Sequence, residues 1–198
     1  GAGTITPKTI TATLTKTTGL DKVYDGNASS ALGTNYAFGT NDIVSGDTKK
    51  KKKTGSYDSP NVADAKAVTY TDLKLDNGNY QLADNVISLT GAGTITPKTI
   101  TAEVTGSVTK TYDGTKDAAA LGTNYQLTGF VGTDRATLTS AAGTYNSKDV
   151  NGANTVTYGG LSLDNSNYTL GEVTSITGAG KITPKTITAT LTKTTGLD

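Results

Sequence analysis

The stretch GAGTITPKTITA, residues 91–102, occurs three times in this chain, with one substitution among the copies. It stands unchanged at residues 1–12 and as GAGKITPKTITA at residues 178–189. The sequence between the copies also recurs in order, because VTYTDLKLDNGNYQL at residues 68–82 corresponds to VTYGGLSLDNSNYTL at residues 156–170. A regular period of this kind predicts a tandem array of one structural unit.

The repeat boundaries predict four segments. Residues 1–7 are expected to be the last strand of a preceding unit, and residues 8–97 to be repeat unit 1. Residues 98–184 are expected to be repeat unit 2, and residues 185–198 the first strand of a third unit. Because residues 6–21 return unchanged at residues 183–198, we expect the chain to be a segment of a longer array.

Composition and pattern predict an all-β fold. Threonine, which is β-branched and favours strands, is the most abundant residue, and 24 glycines supply turns. In the opening strand Ile10, Ala12 and Leu14 share one face, as in a half-buried strand. We therefore predict tandem Ig-like β-sandwich units of about 88 residues in an elongated rod. The alternative is a β-grasp-like unit with a short helical turn at residues 117–125, DAAALGTNY.

Unit 2 shows the predicted strands and core most clearly. The strands are residues 99–104, a segment around Tyr112, residues 125–130, 136–140, 155–163 with a bend at Gly159-Gly160, a strand from Tyr168, and residues 175–182. The predicted core consists of Ile100, Tyr112, Leu121, Tyr125, Leu138, Val156, Tyr158, Leu161, Leu163, Tyr168, Leu170 and Ile176.

The junction between units contains proline and no Gly/Ser linker. Pro97 fixes its own φ and biases Thr96 towards extended geometry, and Pro184 repeats the arrangement after unit 2. We expect this short extended connection to make the array a semi-rigid rod.

Charge and composition argue against several functions. A net charge of +1 gives no general attraction to nucleic acid, and no apolar run approaches the roughly 20 residues of a membrane span. Cysteine and histidine are absent, and no carboxylate pair recurs outside the turn motifs. We therefore expect no enzymatic activity and no cofactor.

Two loop motifs are candidate sites. Tyr24-Asp25-Gly26 and Tyr112-Asp113-Gly114 are predicted to place a core tyrosine before a tight Asp-Gly turn. The LDNGNY and LDNSNY loops bring together oxygen donors that are candidates for a calcium site: Asp76, Asn77 and Asn79 in the first, and Asp164, Asn165 and Asn167 in the second. The EF-hand spacing is absent, and turns in which Asn side chains bond the backbone explain these loops as well.

A lysine run interrupts unit 1 where unit 2 has RATLTSA. The run comprises Lys49, Lys50, Lys51, Lys52 and Lys53. A solvated edge strand that blocks sheet association is the simpler interpretation, and contact with an anionic partner is the functional one. Asn27 and Asn167 begin Asn-x-Ser/Thr sequences, which are candidate glycosylation sites.

Together these motifs resemble the YDG/MBG-type tandem repeats of large bacterial surface adhesins, which are filamentous-haemagglutinin-like secreted proteins. YDG near the start of a unit, NYxL near its end and the closing ITPKTIT carry the resemblance over essentially the whole chain. Only the lysine run departs from it. The resemblance implies a structural module in an extracellular or cell-surface stalk, fibre or biofilm matrix of a bacterium, and it brings no catalytic residues.

The expected partners are other repeats. Terminal strands with unpaired backbone N–H and C=O groups tend to pair with another strand. We therefore expect neighbouring repeats of the same chain, or other copies bound head-to-tail, to pair with residues 1–7 and 185–198. The alternative function is a glycan- or surface-binding adhesive module.

Overall fold

The structure is a computed structural model of the 198-residue chain, and it describes residues 1–15, 20–31, 36–38, 43–47, 54–71, 73, 75–83 and 88–192. Within these ranges the fold is all-β, and the described residues form no helix. Several sheets give it a β-sandwich-like architecture, which confirms the predicted fold class. The chain divides into two compact units, one comprising Gly1–Lys98, Val131–Thr133 and Ser166–Thr169, and the other comprising Thr99–Phe130, Asp134–Asn165 and Leu170–Asp198.

The strands of the first repeat are short. They are β1 (Lys8–Ile10), β2 (Ala12–Leu14), β3 (Lys22–Val23), β4 (Ser29–Ala31), β5 (Tyr36–Phe38), β6 (Thr54–Tyr57), β7 (Ala67–Tyr70), β8 (Tyr80–Leu82), β9 (Leu89–Ala92) and β10 (Ile95–Thr96). A four-stranded sheet has the order β4-β6-β7-β9, and three further pairs are β1 with β8, β2 with β5, and β3 with β10.

The second repeat follows the same plan, and most strands of its main sheet are longer than their counterparts in the first repeat. They are β11 (Lys98–Thr99), β12 (Thr101–Val104), β13 (Ser107–Thr111), β14 (Asp117–Ala120), β15 (Tyr125–Thr128), β16 (Leu138–Thr139), β17 (Ala142–Tyr145), β18 (Thr155–Gly159), β19 (Ser162–Leu163), β20 (Tyr168–Thr169) and β21 (Ser175–Thr183). The main sheet has the order β13-β21-β18-β17-β14, and three further pairs are β11 with β20, β12 with β15, and β16 with β19.

The long closing strand β21 pairs with one strand over its first half and with another over its second half. On one side it runs antiparallel to β18, from Thr155 opposite Ala179 to Gly159 opposite Ser175. On the other side it runs parallel to β13, from Ser107 opposite Ala179 to Thr111 opposite Thr183. The strand that ends the repeat therefore lies between β18 and β13, with residues 175–179 paired to β18 and residues 179–183 paired to β13.

The core of the second repeat lies on one face of this sheet. Alternation along β18 buries Val156 and Tyr158 completely, and alternation along β21 buries Ile176 and Ile182. A Cβ atom added to Gly178 would collide with Val104 of β12, so β12 lies directly against β21. The small residue allows the second layer to approach the sheet closely.

The first repeat buries the equivalent positions. Val68 and Tyr70 of β7 are fully buried, and Ile95 of β10 is 2% exposed. The closing strand is interrupted here at Gly93 and Thr94, so that it appears as β9 and β10.

Most of the predicted core is buried. Eight of its residues are buried in the structure: Ile100, Leu121, Leu138, Val156, Tyr158, Tyr168, Leu170 and Ile176. Four predicted core residues are only half-buried: Tyr112, Tyr125, Leu161 and Leu163. In the second repeat two further large residues are buried that were not predicted, Tyr145 at 1% exposed and Ile182 at 0%.

The helical turn considered at residue 117 is wrong. Asp117–Ala120 is strand β14, and it pairs with β17 through Asp117 opposite Thr144 and Ala118 opposite Gly143. Ala118 is buried, because pairing and burial outweigh the helix propensity of three consecutive alanines. The β-grasp alternative depended on this turn, so it has no support in the described residues.

The terminal segments contrast with their internal copies. Residues 1–7 and 184–192 contain no strand, and Ile5, Ile187 and Leu191 are 98%, 85% and 80% exposed. Ile10, which has the same sequence neighbours as Ile187, is 1% exposed in β1. Over the described part of the chain, no helix has the length and apolar character needed to span a membrane.

Candidate functional site

A lysine ammonium occupies the centre of the YDG turn in the second repeat. Lys110 extends from β13, and its Nζ donates to Asp113 Oδ1 at 2.8 Å, Thr115 O and Thr115 Oγ1 at 3.0 Å each, and Asp117 O at 2.7 Å. Asp113 Oδ1 also accepts hydrogen bonds from the backbone N and Oγ1 of Thr115, both at 2.9 Å. Gly114 between them has φ +83°, which a residue with a Cβ rarely adopts. The loop is therefore folded around the ammonium.

The first repeat builds the same arrangement from different residues. Lys22 Nζ donates to Asp25 Oδ1 at 2.6 Å, to Asn27 O at 2.6 Å and Oδ1 at 3.2 Å, and to Ser29 O at 3.1 Å. Gly26 has φ +82°. Because Asn27 replaces Thr115 and Ser29 replaces Asp117, the conserved elements are the lysine, the Asp-Gly turn and the backbone carbonyls.

The electrostatics of the turn follow from this geometry. The side chains of Lys22 and Lys110 are each 17% exposed, so their charges are only partly solvated. The hydrogen bond from Lys110, with those from Thr115, lowers the pKa of Asp113 to about 2. Burial is the largest single influence on Asp25 and would raise its pKa, but the hydrogen bonds from Lys22 and from the backbone N of Asn27, together with the charge of Lys22, outweigh burial and lower the pKa. Both carboxylates stay ionised beside their lysine at neutral pH.

A tyrosine supports each lysine and the strand from which it extends. The Nζ of Lys110 lies 5.5 Å from the ring centroid of Tyr145, and the Nζ of Lys22 lies 5.5 Å from that of Tyr57, both within cation–π range. Tyr145 Oη donates to Val108 O at 3.0 Å, and Tyr57 Oη donates to Leu20 O at 2.6 Å. Burial raises the pKa of both phenols, so each remains a donor.

Chemically this site is closed. An ammonium has three donors, and four loop oxygens already surround each of the two lysines. The arrangement locks a turn and leaves neither lysine available for an external ligand. Lys22 and Lys110 are absent from the sequence-based site predictions, although each stands two residues before the tyrosine of YDG. That repeated spacing is the signal that identifies them.

The YDG tyrosines themselves differ between the repeats. Tyr24 is a buried ring, 7% exposed, as predicted. Tyr112 is half-buried, so the prediction of a core ring is wrong there. Its backbone N donates to Thr183 O at 2.8 Å, so Tyr112 extends the pairing of β13 with β21 by one residue.

The second calcium candidate loop forms hydrogen bonds within the protein. Asp164 Oδ1 accepts from Thr137 N at 2.6 Å, and Asn165 Nδ2 donates to Arg135 O at 3.0 Å. The hydrogen bond from Thr137 lowers the pKa of Asp164. Asn167 is also a candidate glycosylation site. Its Oδ1 accepts a hydrogen bond at 2.9 Å and its Nδ2 donates one at 3.1 Å.

The first calcium candidate loop is an Asn-containing turn. Asn77 Oδ1 accepts from Asn79 N at 3.0 Å, and Asn77 O accepts from Tyr80 N at 3.1 Å, while Asp76 is exposed. Among the described residues, no three or more Asp, Glu, His or Cys side chains gather into a metal site.

The remaining predicted residues lie apart from one another. Pro97 is an exposed residue between β10 and β11, and Pro184 is an exposed residue directly after β21. Asn27 is exposed, and its Oδ1 accepts from Ser29 N at 2.8 Å. The lysine run Lys49–Lys53 lies outside the residues that the structure describes.

The comparisons with known proteins identify the repeat. The model of the YDG domain matches the chain twice, at residues 6–87 and 96–178. No curated protein and no solved structure matches the chain. Each match contains one lysine-centred turn, at Lys22 and at Lys110. The chain therefore belongs to the YDG domain family and carries two tandem copies of that domain.

Proposed function

We propose that this chain is a structural repeat module of a bacterial extracellular adhesin stalk or fibre, where it acts as a semi-rigid spacer or a polymerising filament. The proposal rests on the structural role of one charged lysine side chain in each repeat. Lys22 and Lys110, each surrounded by four oxygen acceptors, hold a turn in place and are closed to an external ligand. In this proposal the chain is a scaffold without catalytic activity.

The succession of strands also supports a spacer. Thr96 is the last residue of β10 and Lys98 is the first residue of β11, so only Pro97 separates them. A scaffold whose task is to extend a chain needs repeated folded units and little linker between them. Two YDG copies in tandem fit that requirement.

Antibodies raised against this chain test its location. On intact cells of the source bacterium, we expect labelling at the surface and on shed material. As the control, antibodies against a cytoplasmic protein of the same cells should label only after permeabilisation. If the chain also becomes accessible only after permeabilisation, the extracellular proposal fails.

An internal deletion tests the spacer role. Removing residues 6–178 from the gene should preserve the binding specificity of the parent protein and reduce how far its distal part extends from the cell. If the deletion abolishes binding specificity and leaves the extension unchanged, the repeats are not a spacer.

The second candidate function is glycan or surface binding, and a row of hydroxyl groups favours it. Across the main sheet of the second repeat, Thr144 lies opposite Thr157 and Thr157 opposite Thr177. All three are exposed, and the Oγ1 atoms of Thr157 and Thr177 are 2.7 Å apart. In the first repeat the Oγ1 atoms of Thr69 and Thr90 are 2.9 Å apart in the same way.

A glycan array with the whole chain separates the two functions. Saturable binding to one sugar class that is lost in Thr157→Val/Thr177→Val supports an adhesive module. Valine preserves the shape and strand preference of threonine, so the variant removes the hydroxyls and little else.

A further inference from the structure

The strand near the start of each repeat and the strand at its end lie side by side and point the same way. In the second repeat these strands are β13 and β21, with five residue pairs in parallel register from Ser107 to Thr111. Tyr112 N adds a bond to Thr183 O at 2.8 Å. The strands are more than 60 residues apart in sequence, so all of the repeat between them depends on this contact.

The parallel direction determines how tension acts on the contact. A pull on the chain before Ser107 and after Thr183 acts at opposite ends of the pair, along the strand axis. All the bonds between β13 and β21 then carry the load together, in shear. The preceding strands β11 and β12 pair with β20 and β15 in separate two-stranded sheets, so their detachment does not break this contact.

Side chains of β17 and of β21 itself reinforce the pair. Tyr145 Oη donates to Val108 O at 3.0 Å, and Thr183 Oγ1 donates to Lys110 O at 3.2 Å. A Cβ on Gly180 would stand 2.9 Å from Cε1 of Tyr145, so glycine is needed for the ring to lie against β21. The ammonium of Lys110 then secures the turn that follows β13.

The first repeat repeats the device with a different sequence. Leu20 N, Lys22 N and Tyr24 N donate to the carbonyls of Ala92, Thr94 and Thr96 at 3.4, 3.1 and 2.9 Å. Asp21 Oδ1 accepts from both N and Oγ1 of Thr94, at 2.9 and 2.7 Å. Tyr57 Oη donates to Leu20 O at 2.6 Å, as Tyr145 does to Val108 O.

We propose that these parallel strand pairs are force clamps, so that each YDG repeat bears tension applied along the chain. Forced unfolding is governed by the unfolding rate along the direction of load, so a clamp can resist tension beyond what equilibrium stability indicates. The inference concerns the folded repeat itself. Its biological use rests on the proposed spacer function, in which a bound cell pulls on the array.

Single-molecule pulling in two directions tests the clamp on the full 198-residue chain. The chain has no cysteine, so introduced thiols are unique attachment points. Thr105, Thr177 and Thr186 are exposed. A Thr105→Cys/Thr186→Cys chain loads β13 and β21 in shear. A Thr105→Cys/Thr177→Cys chain pulls on neighbouring positions at one end of the pair, and its bonds open one after another.

We expect a severalfold higher unfolding force in the shear chain than in the peeling chain, at equal thermal stability of the two. Equal forces, or a higher force in the peeling chain, would overturn the proposal. The result is independent of the surface-labelling experiment, because a clamp can exist in a protein that is not extracellular, and a spacer can lack a clamp.

Discussion

Gly143 lies directly beneath the ring of Tyr158, and a Cβ at Gly143 would stand 2.5 Å from Cε1 of that ring. Tyr158 is fully buried, so the ring is enclosed by protein on all sides. The first repeat has the same pair, because a Cβ on Gly55 would collide with the ring of Tyr70. A glycine beneath a tyrosine on the neighbouring strand is therefore a feature of the fold in both repeats.

Gly143→Ala should destabilise the second repeat by about 1–3 kcal/mol, because overpacking a filled core forces side chains and backbone to shift. Gly159→Ala is the matched control in the same sheet, since its nearest neighbour to a new Cβ is 3.9 Å away. Chemical denaturation of the two variants measures the difference. Equal stability of both variants would show that the ring moves aside at little cost.

Tyr158→Ala should destabilise its repeat by about 3–5 kcal/mol, the usual cost of removing a large buried side chain. Tyr70→Ala should do the same in the first repeat, because both rings are 0% exposed in the folded protein. A loss below about 1 kcal/mol for both, measured by denaturation, would contradict the burial of these rings.

The strands that the sequence indicates are those with clear alternation. The bend predicted at Gly159-Gly160 is present, because β18 ends at Gly159 and Gly160 has φ +59°. Strands β14 and β17 were missed. DAAA has high helix propensity, and glycine in AGTY weakens a strand signal. Gly143 is required only because the ring of Tyr158 occupies its Cβ space, which is a property of the neighbouring strand.

The turn at Asp-Gly was predicted, but the lysine that organises it was missed, because its one sequence signal is the repeated spacing two residues before the tyrosine of YDG. Lys110 reads as a solvated charge, because its acceptors include backbone carbonyls of Thr115 and Asp117, which leave no trace in the residue types. The sequence also contained no sign that Tyr112 is only half-buried. The same motif buries Tyr24, so the ring's environment depends on packing outside the motif.

Lys110→Met should destabilise the second repeat by about 1–3 kcal/mol. Methionine keeps the apolar stem but leaves the carbonyls of Thr115 and Asp117 without their donor. Lys148→Met is the control, because its ion pair with Asp149 is exposed on both sides and should contribute almost nothing. The midpoints of urea unfolding compare the variants. Equal losses for both would contradict a structural role for the partly buried ammonium of Lys110.

Stability should fall in acid through Asp113. Its pKa is lowered from 3.8 to about 2 in the fold, so the stabilisation is fully present above about pH 4 and is lost as the pH falls through about 2. Asp113→Asn removes the titrating group, and we expect a shallower loss of stability over this window. Thermal unfolding from pH 5 to pH 2 measures both chains. Identical slopes would exclude Asp113 as a source of the acid sensitivity.

The last prediction concerns the sequence TPKTITATL, which is present at residues 6–14 and again at residues 183–191. In the first copy Ile10 is 1% exposed and Ala12 is fully buried, whereas in the second copy Ile187 is 85% and Leu191 80% exposed. The second copy therefore has the same side chains as strands β1 and β2. Residues 183–191 of one molecule can replace residues 6–14 of another. Such an exchange is head-to-tail and open-ended, so we expect filaments at high concentration.

Ile187→Asp/Leu191→Asp should abolish this association, because the exchanged segment would bury one carboxylate at the Ile10 position and half-bury the other at the Leu14 position. Val173→Asp is the control, since Val173 is also an exposed apolar residue, at 49%, and lies outside the repeated segment. Light scattering across concentration compares these chains with the unaltered one and with a version trimmed to residues 8–184. Association that persists equally in the double variant and in the trimmed chain would show that the repeated segment is not the adhesive element. Monomers in every case would show that the exchange does not occur.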